Sequence, residues 1–245
     1  MEYRIIHIDE TESTNKWLKD NSLAQNVREN IIAVAEYQTA GKGCGKNSWE
    51  SERSKNLTFS MLIHPGERPL QLQAKEQFHI TEVVSVALCK TLQPYIYNKV
   101  EIKWPNDIYV GDKKLCGILI ENQLQGSEMK DCIIGIGLNV NQREFHSDAP
   151  NPLSLYQLTG QETDREGLLK AFLESFDEVM TSETVAQDYR QRLYRSVGTY
   201  AFEDANGQFM AEIARVEADG RLVLKDERGH ERFYAFKEVT FIIEN

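Results

Sequence analysis

The sequence predicts an α+β chain that carries a small all-β unit at its C-terminal end. Two runs, 115–121 and 132–140, are nearly continuous in apolar residues, the pattern of strands buried on both faces. Two longer stretches, 72–92 and 163–180, repeat apolar residues at spacings of three and four, as helices with a buried stripe require. Towards the end, Asn206-Gly207, Asp219-Gly220 and Arg228-Gly229 punctuate short apolar segments, and each pair is a tight-turn signal.

Taken in order, Tyr3 to Ile8 alternates as a short strand, and the polar run Thr11 to Asn15 can cap a helix carrying Trp17 and Leu18. Ile31 to Ala35 reads as a buried strand feeding a loop with Gly41, Gly43 and Gly45. Leu57 to Ile63 alternates and ends at His64-Pro65-Gly66, a strand with a turn behind it. The helix over 72–92 presents Ala74, Phe78, Thr81, Val84, Ala87, Leu88 and Leu92 and stops at Pro94, so it should cover one face of a sheet. Val100 to Trp104 and the two apolar runs add three strands, and Thr163-Asp164 caps a second cover helix bearing Leu168, Leu169, Phe172, Leu173, Phe176, Val179 and Met180. This organisation predicts one unit over 1–190 and a second over 191–245, with the boundary at 188–195. The second should be a small closed β-barrel, because closure removes exposed edges.

Composition excludes several functions. Lys and Arg number 28 against 38 Asp and Glu, a net charge of −10, so no broad cationic face is offered to a nucleic acid. No stretch approaches the ~20 apolar residues of a membrane span, and the N-terminus lacks a signal-peptide layout, so a cytoplasmic protein is expected. With only a residue or two before the first strand, an N-terminal DNA-binding helix-turn-helix has no room. Cys44, Cys89, Cys116 and Cys132 form no Cys-x-x-Cys pair, which favours reduced thiols. The five histidines show no ligand spacing, so no metal held by the protein alone is expected.

Four segments can carry chemistry. Residues 35–49 hold three alternating glycines with Lys42 and Lys46, able to cradle an anion through backbone N–H groups and positive charge. Ala40 and Asn47 break a Walker A match and Lys46 breaks a dinucleotide fingerprint, so an anion cradle and a flexible surface loop both remain open. Lys103-Trp104-Pro105-Asn106-Asp107 forms a rigid polar turn whose amide and carboxylate need partners, followed by Lys113-Lys114-Leu115-Cys116-Gly117 at the mouth of a strand. In Gly135-Ile136-Gly137-Leu138-Asn139 the glycines leave one strand face as bare backbone, suited to a flat ligand or to close strand-helix packing. Ser13, Thr14 and Asn15 could be explained by helix capping alone.

Together these segments resemble the biotin protein ligases, in the family's order and over nearly the whole chain. The Ser13-Thr14-Asn15 start, the Glu36-Tyr37-Gln38 loop, Lys103 to Asp107, the strand from Lys114 to Glu121, Gly135 to Asn139 and Ser154-Leu155 carry the resemblance. It implies a class II aminoacyl-tRNA-synthetase-like catalytic domain, a mixed sheet with helices on one side, plus a C-terminal SH3-like β-barrel. It further implies the short form, without a DNA-binding domain. The implied chemistry joins biotin to ATP as biotinyl-5'-AMP, with Mg2+, then transfers biotin to a lysine of a biotin carboxyl carrier domain. No nucleic-acid or membrane partner is implied, and monomer or homodimer is left open.

By the same matching, Lys114 contacts the biotin carboxylate and the α-phosphate, and Lys42 stands where the family has arginine, supplying charge without its bidentate fork. Ser13, Thr14 and Gln38 are implied at the ureido ring with Asn15 beside them. Gly41, Gly43, Cys44, Gly117, Leu119, Gly135 and Gly137 line the rest of the biotin site. Trp49 is implied near the adenine once the loop closes, with Asn106, Asp107 and Asn139 at the phosphates or magnesium. A lipoate-protein ligase is the enzymatic alternative, and a biotin-binding module with weakened catalysis the non-enzymatic one.

One departure bears on mechanism. Cys44 and Lys46 replace a large polar residue and the last glycine of the family loop, and Gly45 moves the flexible position by one. The loop is therefore expected to release its adenylate readily: escape of free biotinyl-AMP should fall in a Cys44→Arg variant, and equal escape from both proteins would overturn this.

Overall fold

A computed structural model describes residues 1–25, 27–45, 47–66, 72–147 and 150–243. Its larger sheet holds β1 (Arg4–Thr11), β2 (Ile31–Gln38), β3 (Leu57–Ile63), β4 (Val100–Lys103), β5 (Asp107–Val110), β6 (Lys113–Gln125) and β7 (Glu128–Leu138). Their order is β1-β2-β3-β7-β6-β5-β4, with β1 and β2 parallel and every other pair antiparallel. The helices are α1 (Thr14–Leu18), α2 (Gln77–Leu92), α3 (Leu155–Thr159), α4 (Arg165–Met180) and α5 (Val185–Gln191). A second, five-stranded antiparallel sheet follows, built from β8 (Tyr200–Asp204), β9 (Gly207–Val216), β10 (Leu222–Asp226), β11 (Glu231–Tyr234) and β12 (Thr240–Phe241).

The two apolar runs are the long hairpin β6–β7, as the sequence predicts, and β7 pairs with β3 at the centre of the sheet. Period-2 alternation divides the sheet's residues between two cores. Ile32, Val34, Phe59, Met61, Ile134 and Ile136 pack with α2 and α4, while Ile31, Ala33, Leu62 and Ile133 pack with Leu18 of α1. All seven residues of β3 are therefore buried, although the sequence suggests a half-exposed strand. The expected placement of helices on one side holds for α2 and α4; α1 lies on the other face.

Three further differences have physical causes. The second cover helix packs against α2, so α2 is buried from Val83 to Cys89 without interruption rather than along one stripe. The predicted helix start at 72 is delayed, because Leu72 and Gln73 make backbone contacts with Pro65 and Glu128, and a 3-10 turn at Ala74–Glu76 precedes α2. Asp107–Val110, which the sequence presents as the end of a polar turn, is a full strand between β4 and β6. The capping predicted at Asp164 is present, through its acceptance of the Glu166 N–H at 3.1 Å.

Beyond α5, the glycines of all three predicted turn pairs have positive φ, the conformation that makes glycine the favoured residue there. The five-stranded antiparallel sheet fits the expected SH3-like unit, with no ladder between β11 and β12 among the described residues to close it by backbone pairing. Instead Phe202 and Phe241, in edge contact at 4.9 Å between centroids, continue into the main core through Tyr194 and Tyr109.

The second sheet is also fixed at Trp104. The Trp104 Nε1 donates to the Gly220 carbonyl at 2.9 Å, and Gly220 approaches the Phe78 ring so closely that a Cβ there would lie 2.4 Å from it. Replacing Trp104 by Phe keeps most apolar contact and deletes that bond. The urea midpoint should fall by the equivalent of about 1 kcal/mol, the usual net worth of one hydrogen bond.

Candidate functional site

On the α1 side of the sheet, the register aligns small residues. Gly117 of β6 faces Gly137 of β7, and Gly137 faces Thr58 of β3; one pair further on, Gly135 lies between Leu119 and Ser60. The result is a floor of exposed backbone at the base of a cavity of about 820 Å³. Sixteen of the seventeen distinct residues singled out from the sequence line that cavity, and Gly41 stands just behind its wall. Lys46 lies outside the described residues.

One end of the floor is polar and largely uncharged. Ser13 is the N-terminal flanking residue of α1 but makes no side-chain capping bond, so capping does not account for the Ser-Thr-Asn run. Its neighbours point elsewhere. Thr14 Oγ1 lies 2.6 Å from Ser60 Oγ and 3.1 Å from Gln38 Oε1, and the Thr14 N–H donates to that same Gln38 oxygen at 2.8 Å. Asn15 accepts from Ser60 Oγ at 2.5 Å and donates to Glu121 Oε2 at 2.8 Å. Gly135 permits this packing, since a Cβ on it would lie 2.3 Å from Asn15 Oδ1.

The other end is cationic. Lys42, Lys103, Lys114 and Lys237 line it, against the carboxylates of Asp107 and Glu50. Lys114 Nζ pairs with Asp107 at 2.7 Å, and backbone bonds to Asn151 and Leu153 hold the Lys114 main chain. Glu50 is occupied by the backbone N–H groups of His146 and Ser147. Lys103 lies between the Tyr109 and Phe241 rings, at 5.4 and 4.9 Å from their centroids, and burial pushes its ammonium below the usual lysine range. A concentration of lysines in a chain of net charge −10 marks an anion site.

Between the ends lies Trp49. Its indole rests directly on the floor: a Cβ at Gly137 would be 2.4 Å from it and one at Gly117 would be 2.9 Å away. Lys114 Nζ sits 5.7 Å from the ring centroid, and the buried Nε1 has no hydrogen-bond partner among the described residues. With the cavity in this state the indole covers the glycine floor itself.

Among the described residues the glycine loop is tied by bonds across it. Gly43 N–H donates to Asn47 O at 2.8 Å, Trp49 N–H to Gly41 O at 2.9 Å, and Lys42 bridges Ser48. From the second sheet, Lys237 Nζ reaches the Cys44 carbonyl at 3.2 Å. The Cys44 thiol is raised by burial, so it is no activated nucleophile. All four cysteines are free, and burial pushes Cys89 up to about 12.

Asn106 donates to the Ile118 carbonyl at 2.6 Å and Asn139 to the Leu153 carbonyl at 3.0 Å, so both amides fasten the β6 end of the cavity. The Asn139 Oδ1 is buried without a partner among the described residues, which leaves an acceptor for an incoming donor or cation. Among those residues no group of three or more His, Cys, Asp and Glu could hold a metal ion, and no helix is long and apolar enough to cross a membrane.

Residues 8–139, which supply most of the floor and both of its ends, match the model of the biotin/lipoate A/B protein ligase family. The chain belongs to that family. It is 30% identical over 239 residues to the bifunctional ligase/repressor BirA of Bacillus spizizenii, covering 93% of this chain and 70% of that protein. It is 26% identical over 226 residues to the biotin-[acetyl-CoA-carboxylase] ligase of Mycobacterium tuberculosis, covering 89% and 81%. Among solved structures, the biotin protein ligase from Aquifex aeolicus in complex with biotin and ATP superposes with a TM-score of 0.78 at 25% identity, covering 98% of this chain and 99% of that one.

Sequence reasoning gave no site role to several residues at or behind this cavity. Ser60 and Glu121 stand behind the polar end as partners of Asn15, and Lys103, Phe236 and Lys237 line the cationic end. Ser60 carried no signal in a strand that reads as core; Glu121 ended a recognised strand motif and was the one that could have been found. Gly137→Ala tests the floor. The added methyl would displace the indole at a cost of ~1–3 kcal/mol, and the Trp49 fluorescence, isolated against a Trp49→Phe variant, should become more accessible to acrylamide.

Proposed function

We propose that the protein is a biotin protein ligase that activates biotin with ATP as biotinyl-5'-AMP and transfers it to a lysine of a biotin carboxyl carrier domain. The observation that carries this reading is the polarity of one cavity. A hydrogen-bonding end built from Ser13, Thr14, Asn15 and Gln38 suits a cyclic urea, the glycine floor suits a flat apolar body, and the lysine end suits a carboxylate meeting a polyphosphate. A lipoate-protein ligase would need no such urea end.

In the first step a carboxylate oxygen of biotin attacks the α-phosphorus, the bond to the pyrophosphate oxygen breaks, and the mixed anhydride forms. In the second, the acceptor amine attacks the acyl carbon, AMP leaves, and the amine gives up its proton. Neither step requires a protein nucleophile. Both concentrate charge on phosphate oxygens, so the contribution of the chain is cations and N–H donors held in place beforehand.

Lys114 is the central one. Asp107 fixes its ammonium by the 2.7 Å ion pair while leaving it donors for the carboxylate and the α-phosphate. Lys42 and the backbone of Gly41 and Gly43 approach from the loop, with Cys44 beside them, and Gly117, Leu119, Gly135 and Gly137 form the bed for biotin. Trp49 leaves that bed when ligand enters and closes over it, excluding water from the anhydride. ATP enters with Mg2+ as its counter-ion, and Asn139 Oδ1, unpartnered among the described residues, fits that end together with Asn106. Residues 1–190 act as the catalytic domain, and residues 191–245 as a small domain that contributes Phe236 and Lys237 to the rim.

Labelled biotin, ATP and an acceptor carrier domain provide the test. Transfer should be found with biotin and absent with lipoate, and Lys114→Ala should lower kcat/KM by about 10²–10³, the scale of losing one preorganised transition-state donor. Biotin binding without pyrophosphate release in the wild type would replace the ligase by a binding module.

A further inference from the structure

Glu121 stands at the end of β6, outside the residues assigned to either substrate, and both of its carboxylate oxygens are engaged. Lys19 Nζ donates to Oε1 at 2.6 Å and Asn15 Nδ2 to Oε2 at 2.8 Å. Burial raises this carboxyl, but the bonds from Lys19 and Asn15 outweigh it and hold the group below the usual carboxylate range. It is ionised at neutral pH and can only accept.

That restriction propagates. Asn15 must turn its amide nitrogen to Glu121, so its carbonyl oxygen faces Ser60, and the single Ser60 proton goes to Asn15 Oδ1 at 2.5 Å. The 2.6 Å contact between the Ser60 and Thr14 hydroxyls then has Thr14 as its donor. Thr14 has no second proton for Gln38 Oε1, 3.1 Å away, and that oxygen already accepts the Thr14 N–H. Two oxygens, Thr14 Oγ1 and Gln38 Oε1, thus stand together at the cavity wall with no hydroxyl proton between them. Such a pair is completed by a donor brought from outside.

We propose that Glu121, anchored by Lys19, is a positioning residue that sets the direction of the Asn15–Ser60–Thr14 hydrogen-bond chain and so turns Thr14 and Gln38 into a paired acceptor selecting a ligand with an N–H donor. The inference rests on the biotin reading given above and deepens it, since a cyclic urea supplies that N–H and a dithiolane does not. Without the carboxylate, only the longer 3.4 Å bond to the Leu119 carbonyl holds the Asn15 amide nitrogen in place, so Asn15 can flip, the chain can reverse, and Thr14 can spend its proton on Gln38.

Calorimetric titration of biotin in the absence of ATP tests this on the wild type, Glu121→Leu, Glu121→Gln, Ser60→Ala and the Ser60→Ala/Glu121→Leu double variant. The Kd should rise about tenfold in Glu121→Leu, the effect of one net hydrogen bond. Glu121→Gln, which can still accept from Asn15, should recover most of that loss. Ser60→Ala cuts the same chain, so the double variant should bind no more weakly than Ser60→Ala alone. The KM for ATP in biotin-dependent pyrophosphate exchange should stay unchanged throughout. Wild-type affinity in Glu121→Leu, additive losses in the double variant, or a parallel rise in the KM for ATP would each overturn the assignment. A wild type that binds biotin but supports no exchange would overturn the ligase reading while the Kd series still judged Glu121; one that binds no biotin would overturn both.

Discussion

Gly117 and Gly137 face each other across the β6–β7 ladder, and the Trp49 indole lies in the space their missing side chains leave. The opposite face of the same strands belongs to the core under α2 and α4, so the sheet has one face closed by packing and one face kept open by composition. A methyl at either glycine would fill the space that the indole occupies. The bed of the cavity is therefore a negative feature, and the surrounding side chains acquire their roles from their distance to it.

The two ends of that bed follow different physics. At one end the polar groups form a chain, and what matters is the direction of each hydrogen bond, set ultimately by a carboxylate and a lysine at the end of that chain. At the other end ammonium groups outnumber carboxylates, and burial of Lys103 is offset by two aromatic faces and by the charge of Asp107. A neutral ligand group is recognised by donor and acceptor pattern, an anionic one by accumulated charge. A single cavity offering both suits a reaction that brings a neutral-headed acid to a polyphosphate.

The second sheet takes part in this arrangement through two short segments. The turn at Gly220 is held by Trp104, and Phe236 and Lys237 reach the rim, where Lys237 touches the glycine loop at Cys44. A loop with three glycines has little conformational preference of its own, so its order comes from its own cross-loop bonds and from a residue 193 positions away. Trp104 belongs at once to the motif that borders the cationic end and to the joint between the sheets.

By itself the sequence determined the element types, the C-terminal turns and most of the residues around the cavity. Periodicity, turn chemistry and a specific motif such as Lys103 to Asp107 are local and survive without coordinates. Tertiary structure decided the rest. Whether β3 is half or wholly buried depends on α1 covering the face that α2 does not, and the missing alternation partner is remote in sequence. Asp107–Val110 became a strand because β4 and β6 flank it, a pairing that four residues cannot announce. Ser60 looks like any small residue in a core strand, and only the packing of α1 against β3 makes it the link between Asn15 and Thr14. Lys237 joined the site because the second sheet docks where it does. Residue type fixes what a group can donate, accept or leave empty; which partner it meets is settled by contacts distant along the chain.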